Sequence, residues 1–395
     1  MAGLIPVEEA LGRLVALVAP LPPEEVPLRH AGGRVLAEAI RAAHAQPPFA
    51  ASAMDGYAVR GADARPGTRL RVTGEAAAGG APAPRVGPGE AVRIFTGAPV
   101  PEGADRVVIQ EDVSRDGDGD GITLGKGLDE ARHIRPAGAD FGVGDEMPAG
   151  LLTPARIALA AAMGRPVLRC ARRPVVAIVP TGDELRQPGE ALGPGQIHAS
   201  NGYGLAAMVE EAGAETRLLP VARDDERSIR GVIGLAYGAD LIVTMGGASV
   251  GDHDLIGPVL AAMGMERSFW RIAMRPGKPL MAGRLGAAAV IGLPGNPVSS
   301  LVCGRVFLVP MLRRMLGLDW EEPWREAPLE HAVEANGPRQ HYMRAAITPG
   351  GLRIAERQDS SLLSVLANAD HLAVRPPHDP ARNVGERLQV IPLTV

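Results

Sequence analysis

Residues 241–254 read LIVTMGGASVGDHD. The first five are apolar or β-branched and too few for a buried helix, so they predict a buried strand. Glycines at 246, 247 and 251 then free the backbone for a loop. Asp252 and Asp254 stand where that loop leads into the next apolar stretch, which predicts a helix over 255–263. Strand, glycine-rich loop and helix in this order make one step of a βαβ unit.

The same order recurs on both sides. Further strands are predicted over 175–179, 216–219, 269–274 and 288–293, with helices over 202–212, 226–237 and 298–316. Such alternation implies a doubly wound, mostly parallel sheet, here assigned to residues 173–327. Ligands of these sheets sit beyond the carboxyl ends of the strands, so the loops after the strands are where chemistry is expected.

Outside this domain the texture changes. Residues 49–140 carry short β-like runs at 70–72, 91–95, 106–109 and 122–124 between Gly/Pro clusters, which predicts a β-rich inserted domain. Before it, Val7, Leu11, Leu14 and Val18 recur at helical spacing and stop at Pro20. After it, Thr153-Pro154 offers an N-cap and a proline at the first helical position, for a helix ending at Gly164. Residues 1–48 and 141–172 are therefore read as a small helical and linker domain. The remainder, 328–395, has β-like runs at 341–347, 352–355 and 388–393 and is read as a small β domain. The expected fold class is multidomain α/β and β.

Composition narrows the function. In 395 residues, 41 Lys and Arg face 45 Asp and Glu, and aromatics are 3%. Neither the basic surplus nor the stacking platform of a nucleic-acid binder is present. No apolar run reaches the ~18–20 residues a membrane span requires. The acids Glu8 and Glu9 precede the first apolar stretch where a signal peptide would be basic, so the expectation is a cytoplasmic protein. Cys170 and Cys303 alone make neither a disulfide framework nor a structural zinc site.

Four strand ends carry the chemistry. Pro180–Leu185 (PTGDEL) places Asp183 and Glu184 at the sheet's edge, as site carboxylates or as an acidic turn. In the 246–254 loop, glycines and Ser249 suit an anion, while Asp252 and Asp254 suit a divalent cation through oxygen ligands; Asp254 as a plain helix cap is the alternative. Arg275 and Lys278 straddle a rigid Pro-Gly turn, which fixes positive charge for a small oxyanion or forms a solvated basic turn. Pro294-Gly295-Asn296-Pro297 opens the last helix, either offering the free amides of Val298 and Ser299 to a ligand or serving as a plain capped helix start. Taken together, these loops predict one pocket for a phosphorylated or oxyanionic ligand plus a metal. The run Asp116, Asp118, Asp120, Gly121 begins like a calcium loop, but Gly127 stands where a bidentate Glu is required, so a hairpin tip is expected there.

SAMDGYA (52–58), FTGAPVP (95–101), IRPAGAD (134–140), PTGDEL, GGASVGDHD, RPGKP and LPGNPVSS occur in this order. Over nearly the whole chain they resemble the molybdopterin molybdenumtransferases, the MoeA-like family. The resemblance implies an elongated homodimer of four-domain subunits, with a doubly wound molybdopterin-binding domain and a C-terminal β-barrel. It implies substrates, molybdate and adenylylated molybdopterin, and a divalent cation, usually Mg²⁺. The family's chemistry inserts molybdenum into the dithiolene with release of AMP. The family's acids fall on Asp55, Asp140, Glu184, Asp224 and Asp254, with Thr96 in the cleft; Glu184, Asp252 and Asp254 are the metal candidates. Molybdate-binding positions fall on Ser249, Arg275, Lys278 and Pro279, with Arg344 (in HYMRA) and Ser360, or Ser361 beside it, from the last domain. Gly246, Gly247, Pro294, Asn296 and Pro297 complete the substrate-binding set. Arg275 stands where Lys is common, which keeps the charge and changes the donor geometry. Asp55 and Thr96 are expected to close the cleft from a neighbouring subunit.

Two other readings compete with molybdenum insertion. Adenylyl transfer onto molybdopterin is the work of proteins that resemble only the doubly wound domain. A non-catalytic pterin-binding scaffold is the third. Expected partners are a second copy of the chain, other cofactor-biosynthesis proteins and recipient molybdoenzymes, with no nucleic acid and no membrane.

Overall fold

The computed structural model describes residues 4–117, 120–246, 255–321 and 325–394. The chain forms two compact units, one of Met1–Glu24, Gly33–Ala37 and Arg169–Val395, the other of Glu25–Gly32 and Glu38–Leu168. No helix among the described residues is long and apolar enough to cross a membrane.

The larger unit is built on a six-stranded sheet. Its order is Glu215–Leu218, Val175–Pro180, Leu241–Met245, Ala288–Leu293, Met281–Leu285, Glu266–Trp270. The first four run parallel, in register Val176 with Leu241 and Leu241 with Ala289. Alternate side chains feed opposite faces, as the pleat requires. Val176 and Ile178 pack with Leu205, Val209, Val302 and Phe307. Ala177 and Val179 pack with Ile229, Ile233, Val259 and Leu260. Helices thus cover both faces, and the expected doubly wound domain is present. Each helix starts where the sequence permits. Asp225 caps Glu226–Gly234 by accepting from the Ser228 N–H at 2.8 Å, and Pro297 opens Pro297–Cys303.

Two expectations need correction. The predicted 269–274 strand is not one strand. Glu266–Trp270 pairs antiparallel with Met281–Leu285, a strand the sequence reading missed. Arg271 then adopts φ 85°, and Met274–Arg275 leaves this sheet to pair in parallel with Gln340 and His341. The predicted 298–316 helix is also interrupted. A wide π turn at Gly304–Leu308 separates Pro297–Cys303 from Val309–Met315. Pro310 has no N–H to donate backward, so the ladder must rearrange one turn earlier.

The C-terminal strands close into a small barrel. Arg325–Pro328, Arg387–Pro392, His371–Arg375, Gln340–Thr348 and Gly351–Ile354 pair antiparallel in succession. A bridge between Leu329 and Leu352 joins the last strand to the first. Tyr342, Leu372 and Val374 on its outer face belong to the same apolar core as Phe307, Met311 and the N-terminal helix residue Leu14. That helix, Val7–Ala16, is therefore part of this unit.

The smaller unit carries a six-stranded sheet ordered Arg106–Ile109, Gly56–Val59, Glu90–Ile94, Arg69–Ala76, Gly121–Leu124, Val113–Arg115. All four predicted runs lie in it. The acidic run after Arg115 connects two antiparallel strands, as expected of a hairpin tip, and Asp116 pairs with Arg69 at 2.7 Å; Asp118 lies outside the described residues. Helix Pro154–Ala162 begins at the expected Thr153 cap.

Candidate active site at the carboxyl edge of the parallel sheet

Parallel strands end on one side, so Pro180, Leu218, Met245 and Leu293 deliver their loops to a common edge. A cleft of about 830 Å³ lies there. Glu184, Asp224, Gly246, Arg275, Lys278, Pro279, Pro294, Asn296, Pro297 and Ser360 all line it. Residues separated by long stretches of chain thus converge, as the sequence predicts. Ser249, Asp252, Asp254 and Gly247 lie outside the described residues.

The acidic side is held by its own backbone. The Asp183 N–H donates to Asp224 Oδ2 at 3.4 Å, and the Asp224 N–H donates to Asp183 Oδ1 at 3.3 Å. This reciprocal pair ties the loop of the first strand to that of its neighbour and leaves Glu184 and Asp224 on one rim. Gly182 has φ 145°, and a Cβ there would collide with the Glu184 carboxylate, so the glycine leaves room for it. Among the described residues no three His, Cys, Asp or Glu side chains form a metal-binding group.

The basic side faces it. Arg275 and Lys278 are exposed to the cleft, and among the described residues neither has a carboxylate partner. The start of helix Pro297–Cys303 is tied to the barrel. The Val298 N–H donates to Ser360 O at 3.2 Å, and Asn296 Nδ2 donates to Ser360 Oγ at 3.2 Å. Ser360 therefore faces the cleft, whereas Ser361 turns its hydroxyl to Asp359 Oδ1 at 2.6 Å.

Arg344 occupies a different place from the rest. It is fully buried behind the cleft wall, and its Nη2 donates to Asp359 O at 2.9 Å. Its Nε and Nη1 have no hydrogen-bond partner. Burial pulls its pKa down, and neighbouring Asp359 opposes that. Arg339, Gln358 and Asp359 line the cleft and were not singled out from the sequence. They sit on a barrel strand end and a loop, far from any glycine-rich strand end, and only the barrel's docking brings them there.

Asp55, Thr96 and Asp140 belong to the smaller unit. Asp55 Oδ1 accepts from the Thr96 N–H and from Thr96 Oγ1, each at 2.7 Å. These bonds hold the Asp55 carboxyl below the usual carboxylate range, with the Arg93 charge adding to the effect. The Asp140 N–H donates to Gln46 O at 2.9 Å, and its exposed carboxylate makes no hydrogen bond to a described residue. Cys170 and Cys303 are buried, and burial raises both thiols, which removes them as nucleophiles near neutral pH.

The sequence and fold match known proteins along almost their whole length. The MoeA N-terminal region (domain I and II) matches residues 5–164, a probable molybdopterin binding domain residues 177–314, and the MoeA C-terminal region (domain IV) residues 326–393. The chain belongs to the MoeA family. Molybdopterin molybdenumtransferase of Haemophilus influenzae is 35% identical over 357 residues, 89% of this chain and 87% of that protein. Molybdopterin molybdenumtransferase 2 of Mycobacterium tuberculosis is 37% identical over 341 residues, 82% of this chain and 83% of that one. The crystal structure of the molybdopterin biosynthesis MoeA protein of Pyrococcus horikoshii superposes with a TM-score of 0.83 at 31% identity, covering 100% of both chains. The cleft described above lies in the segment matched by the probable molybdopterin binding domain, with one wall from the C-terminal region.

Proposed function

We propose that this protein is a transferase of molybdenum cofactor biosynthesis that inserts molybdenum from molybdate into adenylylated molybdopterin and releases AMP. The observation that carries the reading is that one cleft is lined by the carboxylates Glu184 and Asp224 and by the cations Arg275 and Lys278. Molybdate is a tetrahedral dianion and needs fixed cationic and hydroxyl donors, which Arg275, Lys278 and Ser360 supply, with Arg344 behind them. The Val298 amide, expected to be free, is taken by Ser360 O, which leaves the Ser299 amide at the start of helix Pro297–Cys303 for a phosphate of the pterin nucleotide.

The oxygen-only donor set of Glu184 and Asp224 fits a hard divalent cation, Mg²⁺ first, which keeps several waters and shares substrate phosphates. When bound, such an ion would neutralise anhydride charge. The chain's own groups do the rest: Lys278 and Arg275 hold the oxyanion, and Gly182 and the Asp183–Asp224 pair keep the carboxylates oriented. Positioning and electrostatics carry the rate, without a covalent protein nucleophile. Asp55 with Thr96, and Asp140, are read as further substrate-facing groups. The working form is read as a cytoplasmic homodimer that passes its product to other cofactor-biosynthesis proteins or recipient enzymes. The four segments 1–48 with 141–172, 49–140, 173–327 and 328–395 are read as its domains.

The test supplies purified protein with adenylylated molybdopterin, Mg²⁺ and molybdate. AMP release that depends on molybdate is expected. Formation of adenylylated product from ATP and molybdopterin instead would make the protein an adenylyltransferase, and no turnover with either pair would leave the scaffold reading.

A further inference from the structure

Behind the oxyanion side of the cleft lies a buried histidine that the reaction as described does not use. His341 is 6% exposed, and its Nε2 has no hydrogen-bond partner. Strand register sets its neighbours. Arg275, which lines the cleft, is its partner on one side, and Arg375 is its partner on the other. Paired residues in a ladder project to the same face, so the imidazole lies between two guanidinium-bearing positions. Arg344 lies further along its own strand, and Arg339 stands just before that strand begins.

The charges around it are unevenly compensated. Arg375 is satisfied by the buried carboxylate of Asp379, which also binds Arg382. Arg275 and Arg339 have no carboxylate partner among the described residues, and Arg344 donates only to carbonyl oxygens, with Asp359 nearby. His341 Nε2, Arg344 Nε and Arg344 Nη1 are three buried polar atoms without a partner on one strand. Buried polar atoms ordinarily find a partner, and a neutral imidazole keeps one nitrogen lone pair that can accept a proton. Among the described residues no carboxylate pairs with Arg275, the strand partner of His341 that lines the cleft where the oxyanion is expected.

We propose that His341 takes up a proton when an oxyanion dianion is captured at Arg275 and Lys278, so that oxyanion affinity is coupled to pH through this residue. The inference rests on the oxyanion reading of the cleft. Burial and the charges of Arg275, Arg344, Arg375 and Arg339 push the imidazole down to about 4. A dianion beside Arg275 offsets those charges and raises the imidazole's proton affinity. Binding then strengthens as pH falls toward the free value and is independent of His341 above the bound value, by at most about tenfold per pH unit for one proton.

The experiment is calorimetric titration of molybdate into the full chain at pH 5.5 and pH 7.5, in buffers of different ionisation enthalpy. Wild type is expected to take up a measurable fraction of a proton at pH 5.5 and none at pH 7.5. His341→Gln, or His341→Asn if the first variant folds poorly, is expected to bind without net proton uptake. Lys278→Ala serves as the site control. Binding that is lost in Lys278→Ala but shows equal uptake in wild type and the His341 variants overturns the role of His341 and leaves the site reading intact. Binding that ignores Lys278→Ala, or no binding at all, overturns both. The wild-type uptake is read without any variant, so a zero value at pH 5.5 is decisive by itself.

Discussion

Glu184 and Lys278 test the two sides of the cleft. Glu184→Gln keeps the size and removes the charge, and is expected to cut AMP release by about 100-fold or more with the melting temperature unchanged. Full turnover by this variant would remove the carboxylate's role. Lys278→Ala removes a charge-assisted donor of roughly 1.5–3 kcal/mol, so the molybdate concentration for half-maximal rate is expected to rise roughly 10- to 100-fold. Pterin nucleotide binding, measured separately, is expected to change little. His341 supplies a stability test at the same scale. Its folded proton affinity lies at about 4 against an ordinary 6.5, so the unfolded chain binds the proton first. Stability is therefore fully present above about pH 6.5 and declines as pH falls toward 4, by about 2 kcal/mol at pH 5. Denaturant midpoints of wild type and His341→Gln, compared at pH 7 and pH 5, are expected to converge at the lower pH. Parallel losses in both proteins would contradict this.

At the scale of elements, the loop Arg275–Pro279 is constrained from below. Gly277 has φ 109°, and a Cβ there would run into Cys303 Sγ on the helix that starts at Pro297. Gly277→Ala is expected to lower stability by roughly 1–3 kcal/mol and to weaken molybdate use, because the loop must lift away from the helix and carry Arg275 and Lys278 with it. Unfolding and molybdate titration together read this. A variant with unchanged midpoint and unchanged molybdate response would mean the loop has slack. The Asp183–Asp224 backbone pair does for the acidic side what the Cys303 contact does for the basic one: it fixes a strand-end loop through a neighbour distant in sequence.

At the scale of the larger unit, the barrel is not an appendage. Tyr342, Leu372 and Val374 share an apolar core with Phe307, Met311 and Leu14, and Ser360 bonds the start of the helix at Pro297. A chain cut after residue 325 would expose that core and lose the wall formed by Arg339, Asp359 and Ser360. It is expected to aggregate or to melt without a cooperative transition, as followed by circular dichroism. A cooperative transition at the wild-type temperature would show that the α/β sheet folds without the barrel.

The sequence by itself determined the strand–loop–helix order, the doubly wound sheet and the loops that meet at its edge. Short apolar runs closed by glycine and proline state that order locally, and parallel strands must end together. It did not determine that 269–274 is two strands, because Arg271 at positive φ carries no local signal. Nor did it reveal strand Met281–Leu285, whose partners are set by long-range pairing. Only the tertiary structure decided that Arg339, Asp359 and Ser360 reach the cleft and that Arg344 and His341 lie buried behind it. The barrel docks through apolar contacts between segments far apart in the chain, and no local period encodes such contacts.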